Sequence, residues 1–131
     1  MTVYIDDVAI PYRHGLLPGT MIMCHMWADS ELELLEFADK IGVQRKWIQR
    51  PPKANWVHFD IAKGKRALAL KRGAVETDKF GPAEHVARLD IAAGRIEQGK
   101  RKLQQVAECR AAREFDEDRP APVIARHPSF L

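Results

Sequence analysis

Residues 20–42 read TMIMCHMWADSELELLEFADKIG, and a change of period inside this stretch decides the fold. The run from Thr20 to Met26 is short and mostly apolar, as a buried strand is. Its three methionines and Cys24 equally suit a turn of buried helix, because so short a run does not separate the two by periodicity. Polarity then switches. Ser30 followed by Glu33 has the spacing of a capping box, in which hydroxyl and carboxylate each satisfy an orphan backbone N–H. Leu34, Phe37, Ala38 and Ile41 recur at helical spacing, and Gly42 stands where a left-handed closing residue is wanted. Acids fill the opposite, wet face. The spacing predicts a helix over residues 30–41.

Working outward, Thr2-Val3-Tyr4-Ile5 reads as a first strand that delivers Asp6 and Asp7 at its C-terminal end. Pro11, Gly15, Pro18 and Gly19 punctuate a loop carrying Tyr12, Arg13 and His14. Downstream, Val43 to Gln49 reads as a third strand around Trp47 and Ile48, ended by Pro51-Pro52. Asp60 is placed as the N-cap of a second helix that runs through Lys71 and stops at Gly73. Ala74-Val75-Glu76 reads as a short final strand. The expected fold over residues 1–77 is therefore α/β, a small mixed sheet with two packed helices.

From Pro82 the character changes. Val86, Leu89, Ala93, Ile96, Leu103, Val106 and Arg110 form a heptad-like stripe along one long helix over residues 82–118. Gly94 and Gly99 weaken it, at about 1 kcal/mol each. So narrow a stripe needs a partner surface. Lys100, Arg101 and Lys102 beside Glu97 and Glu108 permit antiparallel pairing, so a homodimer through residues 82–118 is expected. Residues 119–131, opening with Arg119-Pro120, are expected to form a flexible tail.

The length of 131 residues allows one domain with an appendage, and 46% hydrophobic residues exclude wholesale disorder. No apolar run is long enough for a membrane span, and the N-terminus lacks the basic and apolar regions of a secretion signal. Cys24 and Cys109 suggest neither a disulfide framework nor a zinc motif. A cytoplasmic location is expected. Net charge is only +3, but residues 26–43 hold five acids against Lys40, and residues 44–73 hold nine bases against Asp60. That second segment points to a polyanion or a phosphate-bearing ligand, unless it is simply a solvated face.

Six groups stand at the ends of apolar elements: Asp6, Asp7, His25, Asp29, His58 and Asp60. In an α/β sheet such ends converge on one edge, where ligands bind. The expectation is that Asp6, Asp7, Asp29 and Asp60 hold a divalent metal such as Mg²⁺ or Mn²⁺. His25 or His58 would serve as general acid–base, and Lys65 and Arg66 would hold a phosphate at a helix start. The structural alternative makes Asp29 and Asp60 helix caps and His25 a satisfied histidine. Cys24 lies in an apolar run, where a thiol is inert. No glycine-flanked serine elbow or phosphate-cradling loop occurs. Trp47 and Trp56, with Lys46, Arg50 and Lys53, would stack and neutralise single-stranded nucleic acid if both indoles are exposed.

Three runs, MTVYIDD from Met1, MCHMWADSELELLEFADKIGVQRKW from Met23 and HFDIAKGKRALALKRGAVE from His58, occur in this order. Together they resemble the domain of unknown function 4031 family of small bacterial and bacteriophage proteins, over residues 1 to about 77. The resemblance implies a small cytosolic protein, in the host cytoplasm if phage-encoded, and groups the Asp, His, Lys65 and Arg66 set as one constellation without supplying a reaction. Two functions follow from the residues, a metal-dependent phosphoesterase or nuclease-like hydrolase and a non-catalytic binder of nucleic acid or a phosphorylated ligand through residues 44–73; the resemblance implies a third, a phage protein acting on a host protein.

Overall fold

The eight-residue strand Met21–Ala28 is the spine on which the other strands assemble. In the computed structural model, which describes residues 2–12 and 21–117, this is β3. One of its edges pairs antiparallel with β1 (Val3–Ile5) and β2 (Ile10–Tyr12), in the registers Ile5↔Met26 and Ile10↔Met23. The other edge pairs antiparallel with β4 (Phe59–Ala62), with His25 opposite Asp60 and Met26 opposite Phe59. β5 (Val75–Glu76) lies parallel to β1. The result is a five-stranded mixed sheet.

Alternation along β3 separates the two sheet faces. Val3, Ile5, Cys24, Met26, Ala28, Phe59 and Ile61 turn to one side and are buried. There they meet Leu34, Phe37, Ala38 and Ile41 of α1 (Glu31–Ile41) and Ala69 of α2 (Lys63–Lys71) in one core. Each fully buried large side chain contributes about 1.5–3 kcal/mol. The helix expected over residues 30–41 is present. Ser30 Oγ accepts from the Glu33 N–H at 3.2 Å, and Gly42 closes the helix at φ 75°.

Four expectations are corrected. Val43 to Gln49 is not a strand: Arg45–Trp47 is a 3-10 turn. The Arg45 guanidinium grips both oxygens of Asp39 at 2.7–3.2 Å and turns the chain back toward α1, so that Gln49 alone joins the ladder, opposite His58. Asp60 is not an N-cap. Phe59 and Ile61 alternate into the core, so the two-residue period runs to Ala62 and α2 starts only at Lys63. Pro11 lies in β2, opposite Ile22, where its missing N–H is tolerated because β2 is the end strand of its ladder. The rest of the expected loop, including Arg13 and His14, lies outside the described residues.

The fourth correction concerns the span of the C-terminal helix: the long helix is present as α4 (Ile96–Glu117), but a separate helix, α3 (Gly81–Ala92), precedes it. Gly94 at φ 89° breaks the helix, and the Arg95 N–H donates to the Asp90 carbonyl at 2.8 Å. The described residues divide into two compact units, with the boundary after Val86. In the second, the nearly buried Asp90 carboxylate accepts from Lys102 Nζ at 2.6 Å and from Arg95 Nε at 3.0 Å. Of the heptad stripe, Val106 is buried, whereas Leu89 and Ile96 are exposed. The expected tail, residues 119–131, lies outside the described residues.

Gly99 acquires a role opposite to the one its helix propensity suggests. A Cβ there would meet Ile91 Cγ1 at 2.5 Å and the Ala87 carbonyl oxygen at 2.6 Å, so the glycine permits α4 to approach α3 closely. Propensity alone gives Gly99→Ala a gain of about 1 kcal/mol. Overpacking costs about 1–3 kcal/mol. The expected net result of G99A is a lower melting temperature by circular dichroism; an unchanged or higher one would contradict the close packing.

Candidate metal centre

The face of the sheet away from the core carries the polar groups. Facing residues in antiparallel strands project to the same side, so His25 and Asp60 share this face. The Asp6 N–H donates to the His25 carbonyl at 3.2 Å, which extends the β1–β3 ladder and brings Asp6 to the other flank of His25. Asp6, His25 and Asp60 thus form a lateral row across three segments. His58, two residues before Asp60, joins them along the chain.

The contacts in this group have a consistent polarity. His25 Nδ1 lies 2.6 Å from Asp6 Oδ2, and the His25 backbone N–H donates to Asp6 Oδ1 at 3.0 Å. His58 Nδ1 lies 3.1 Å from the Trp56 carbonyl, an acceptor that requires this nitrogen to carry the hydrogen. Both rings therefore commit Nδ1 and turn Nε2 toward the same atom. His25 Nε2 is 3.8 Å and His58 Nε2 is 3.4 Å from Asp60 Oδ1. One ligand atom from each of His25, His58 and Asp60 lies within 4.8 Å of the others.

Burial grades outward from the row. The Asp6 side chain is 0% exposed, His58 8%, His25 23% and Asp60 42%, so the Asp60 side of the cluster meets solvent. Aromatic rings hold the imidazoles in place. Trp56 stacks on His58 with centroids 4.2 Å apart and planes 15° apart, and Trp27 meets Trp56 edge-on at 5.5 Å. Tyr4 stacks on Trp27 at 5.9 Å. His85, in the first unit, leans on Trp56 and Trp27 at 6.0 and 6.2 Å. Sequence reasoning missed His85 because a lone histidine on a helix carries no spacing signal.

Electrostatics follow the geometry. The hydrogen bond that the His25 ring makes to the Asp6 carboxylate raises the His25 pKa above its ordinary 6.5, against the opposing effect of burial. Asp60 is held below the usual carboxylate range, chiefly by its contact with His58. Burial pushes the Cys24 thiol up to about 11, which removes it as a nucleophile near neutral pH and agrees with the expected inertness.

Of the six groups expected to converge, Asp6, His25, His58 and Asp60 do so. Asp29 does not: it lies just beyond the end of β3, four residues from His25 and about 13 Å away. Its carboxylate accepts from the Thr2 N–H at 3.0 Å and from the Tyr4 hydroxyl at 3.1 Å, while Ser30 serves as the cap. Asp7 is exposed and lines a separate cleft of about 630 Å³ with Cys24, Lys63 and Arg66. Lys65 and Arg66 serve the fold. Lys65 Nζ donates to the Ile41 carbonyl at the end of α1 at 2.8 Å. Arg66 donates to the Asp6 carbonyl at 3.2 Å and pairs with Glu76 at 3.1 Å. The two indoles also part company, Trp47 being 57% exposed and Trp56 half-buried.

Fold and site together define a small α/β protein with a His–His–carboxylate group on one sheet face and a buried carboxylate behind it. Residues 3–95 match the family model described as Protein of unknown function (DUF4031), and the chain belongs to that family. No curated protein and no solved structure matches it. Among the described residues no helix is long and apolar enough to cross a membrane.

Because the folded pKa of His25 is raised, its contribution to stability is complete below pH 6.5 and is lost as pH rises through the folded value. In metal-free protein the His25 Cε1–H resonance is expected to titrate with a midpoint above 6.5, and Asp6→Asn to lower that midpoint. A wild-type midpoint at or below 6.5 would contradict the Asp6–His25 bond.

Proposed function

We propose that the protein is a divalent-cation-dependent phosphoester hydrolase whose ion is held by His25 Nε2, His58 Nε2 and Asp60. The observation that carries this reading is the shared orientation of the two imidazoles, each with Nδ1 tied to an acceptor and Nε2 facing Asp60. Metal-bound histidines have this arrangement, their second nitrogen donating to a carboxylate or a backbone carbonyl. Asp6 and the Trp56 carbonyl are those two kinds of acceptor. Tetrahedral ligands bound at about 2.1 Å stand roughly 3.4 Å apart, close to the 3.4 and 3.8 Å separations here.

Two imidazoles and one carboxylate favour a borderline ion such as Zn²⁺ or Fe²⁺ over the Mg²⁺ or Mn²⁺ expected from carboxylates alone. His25 and His58 then serve as ligands instead of proton shuttles, and Asp6 orients His25 from behind. Three protein ligands would leave room for water on a bound ion, and Asp60 is the most exposed of the three. A bound cation supplies Lewis acidity and brings the pKa of coordinated water toward neutrality. Phosphoesters are the favoured substrate class because Lys46, Lys53, Lys63, Lys71 and Arg72 of the basic segment are exposed.

Calorimetry is expected to show one equivalent of Zn²⁺ bound, with protons released as His25 deprotonates. Asp60→Ala or His58→Ala should abolish this binding, and Asp6→Asn should weaken it about 10–100-fold. Hydrolysis of bis(4-nitrophenyl) phosphate should appear with metal and vanish with chelator. No heat and no melting shift at millimolar Zn²⁺, Fe²⁺ or Mn²⁺ would overturn the proposal.

A further inference from the structure

The segment between α1 and β4 is joined directly to one of the proposed ligands. Gln49 and His58 exchange both backbone hydrogen bonds, at 2.8 and 3.0 Å. Facing Cα atoms in such a pair are about 5 Å apart, and two residues of chain span at most about 7 Å. Trp47 therefore starts within about 12 Å of His58, a reach of about two nucleotides of extended strand. Its indole is 57% exposed, with Lys46 Nζ 5.1 Å from the ring centroid. An indole this exposed contributes little to the core, and it sits in a segment, residues 44–56, that contains four bases and no acid.

The acidic face of α1 would repel a polyanion brought to this segment, but two of its carboxylates are already paired. Arg45 neutralises Asp39 at 2.7 Å, and Arg50 neutralises Glu31 at 3.4 Å. Lys46 and Lys53 remain exposed on the same segment. A stacking surface flanked by cations, beside a candidate hydrolytic centre, matches the recognition of single strands: aromatic rings take base faces and lysines take phosphates.

Resting on the hydrolase reading above, we infer that the phosphoester is the backbone of a single-stranded nucleic acid, with Trp47 stacking a base and Lys46 and Lys53 holding phosphates. The test uses a fluorescein-labelled oligothymidylate of about twenty nucleotides, followed by anisotropy in EDTA so that strand binding is read apart from metal uptake. Wild-type protein is expected to bind at low salt. Trp47→Ala should weaken binding about tenfold or more. The double variant Lys46→Ala with Lys53→Ala should flatten the log–log salt dependence by about 1.4, since each single-strand phosphate contact contributes about 0.7. These residues are exposed, and unchanged circular dichroism confirms that each variant folds. Absence of strand binding, tighter binding of the matching duplex, or wild-type affinity in both variants would overturn the inference. Zn²⁺ uptake without strand binding would overturn this inference alone, and strand binding without metal uptake would overturn the hydrolase.

Discussion

The structure depends most on Asp6, a residue whose side chain has no solvent exposure and which makes four hydrogen bonds. Its two oxygens take hydrogen bonds from His25, one from the ring and one from the backbone. Its N–H donates to the His25 carbonyl, and its own carbonyl accepts from Arg66. A buried charge is costly unless it is hydrogen-bonded, so this residue ties β1, β3 and α2 into one arrangement. The same bonds that satisfy Asp6 set the tautomer and orientation of His25. Folding and site geometry are thus one constraint.

That constraint also explains why the two faces of so small a sheet differ. Cys24, Met26 and Ala28 of β3, with Ile5, Phe59 and Ile61, build a conventional apolar core against α1 and α2. The odd-numbered positions carry His25 and Trp27, packed in a lattice of rings with Trp56, His58 and His85. Stacked rings bring both apolar area and fixed orientation. This face trades the freedom of aliphatic packing for two imidazoles held in defined poses.

The α/β class and the helix over residues 30–41 were legible because capping residues and apolar period agree there. The resemblance seen over residues 1–77 is matched by the family assignment over residues 3–95. Asp60 reads as a cap in the sequence because aspartate is a common helix cap and β4 runs into α2 without a linking loop. The number of converging groups was overestimated for a different reason. Strand register decides which residues face each other, and no local pattern encodes it; Asp29 projects from the far end of β3, while Asp6 and Asp60 flank His25. The charge dipole between residues 26–43 and 44–73 was real in sequence, yet part of it is consumed in the Arg45–Asp39 and Arg50–Glu31 pairs. Gly99 shows the same limit, since its value lies in a neighbour that propensity does not see.

The central claim is that Asp6 and the Trp56 carbonyl hold two imidazoles with Nε2 ready for a cation. Long-range ¹H–¹⁵N correlation of the histidine side chains during a Zn²⁺ titration reads each ring nitrogen separately. The account predicts that His25 and His58 keep the hydrogen on Nδ1 and that their Nε2 resonances shift together with the first equivalent of metal. Shifts at Nδ1, or rings that ignore the ion, would contradict it.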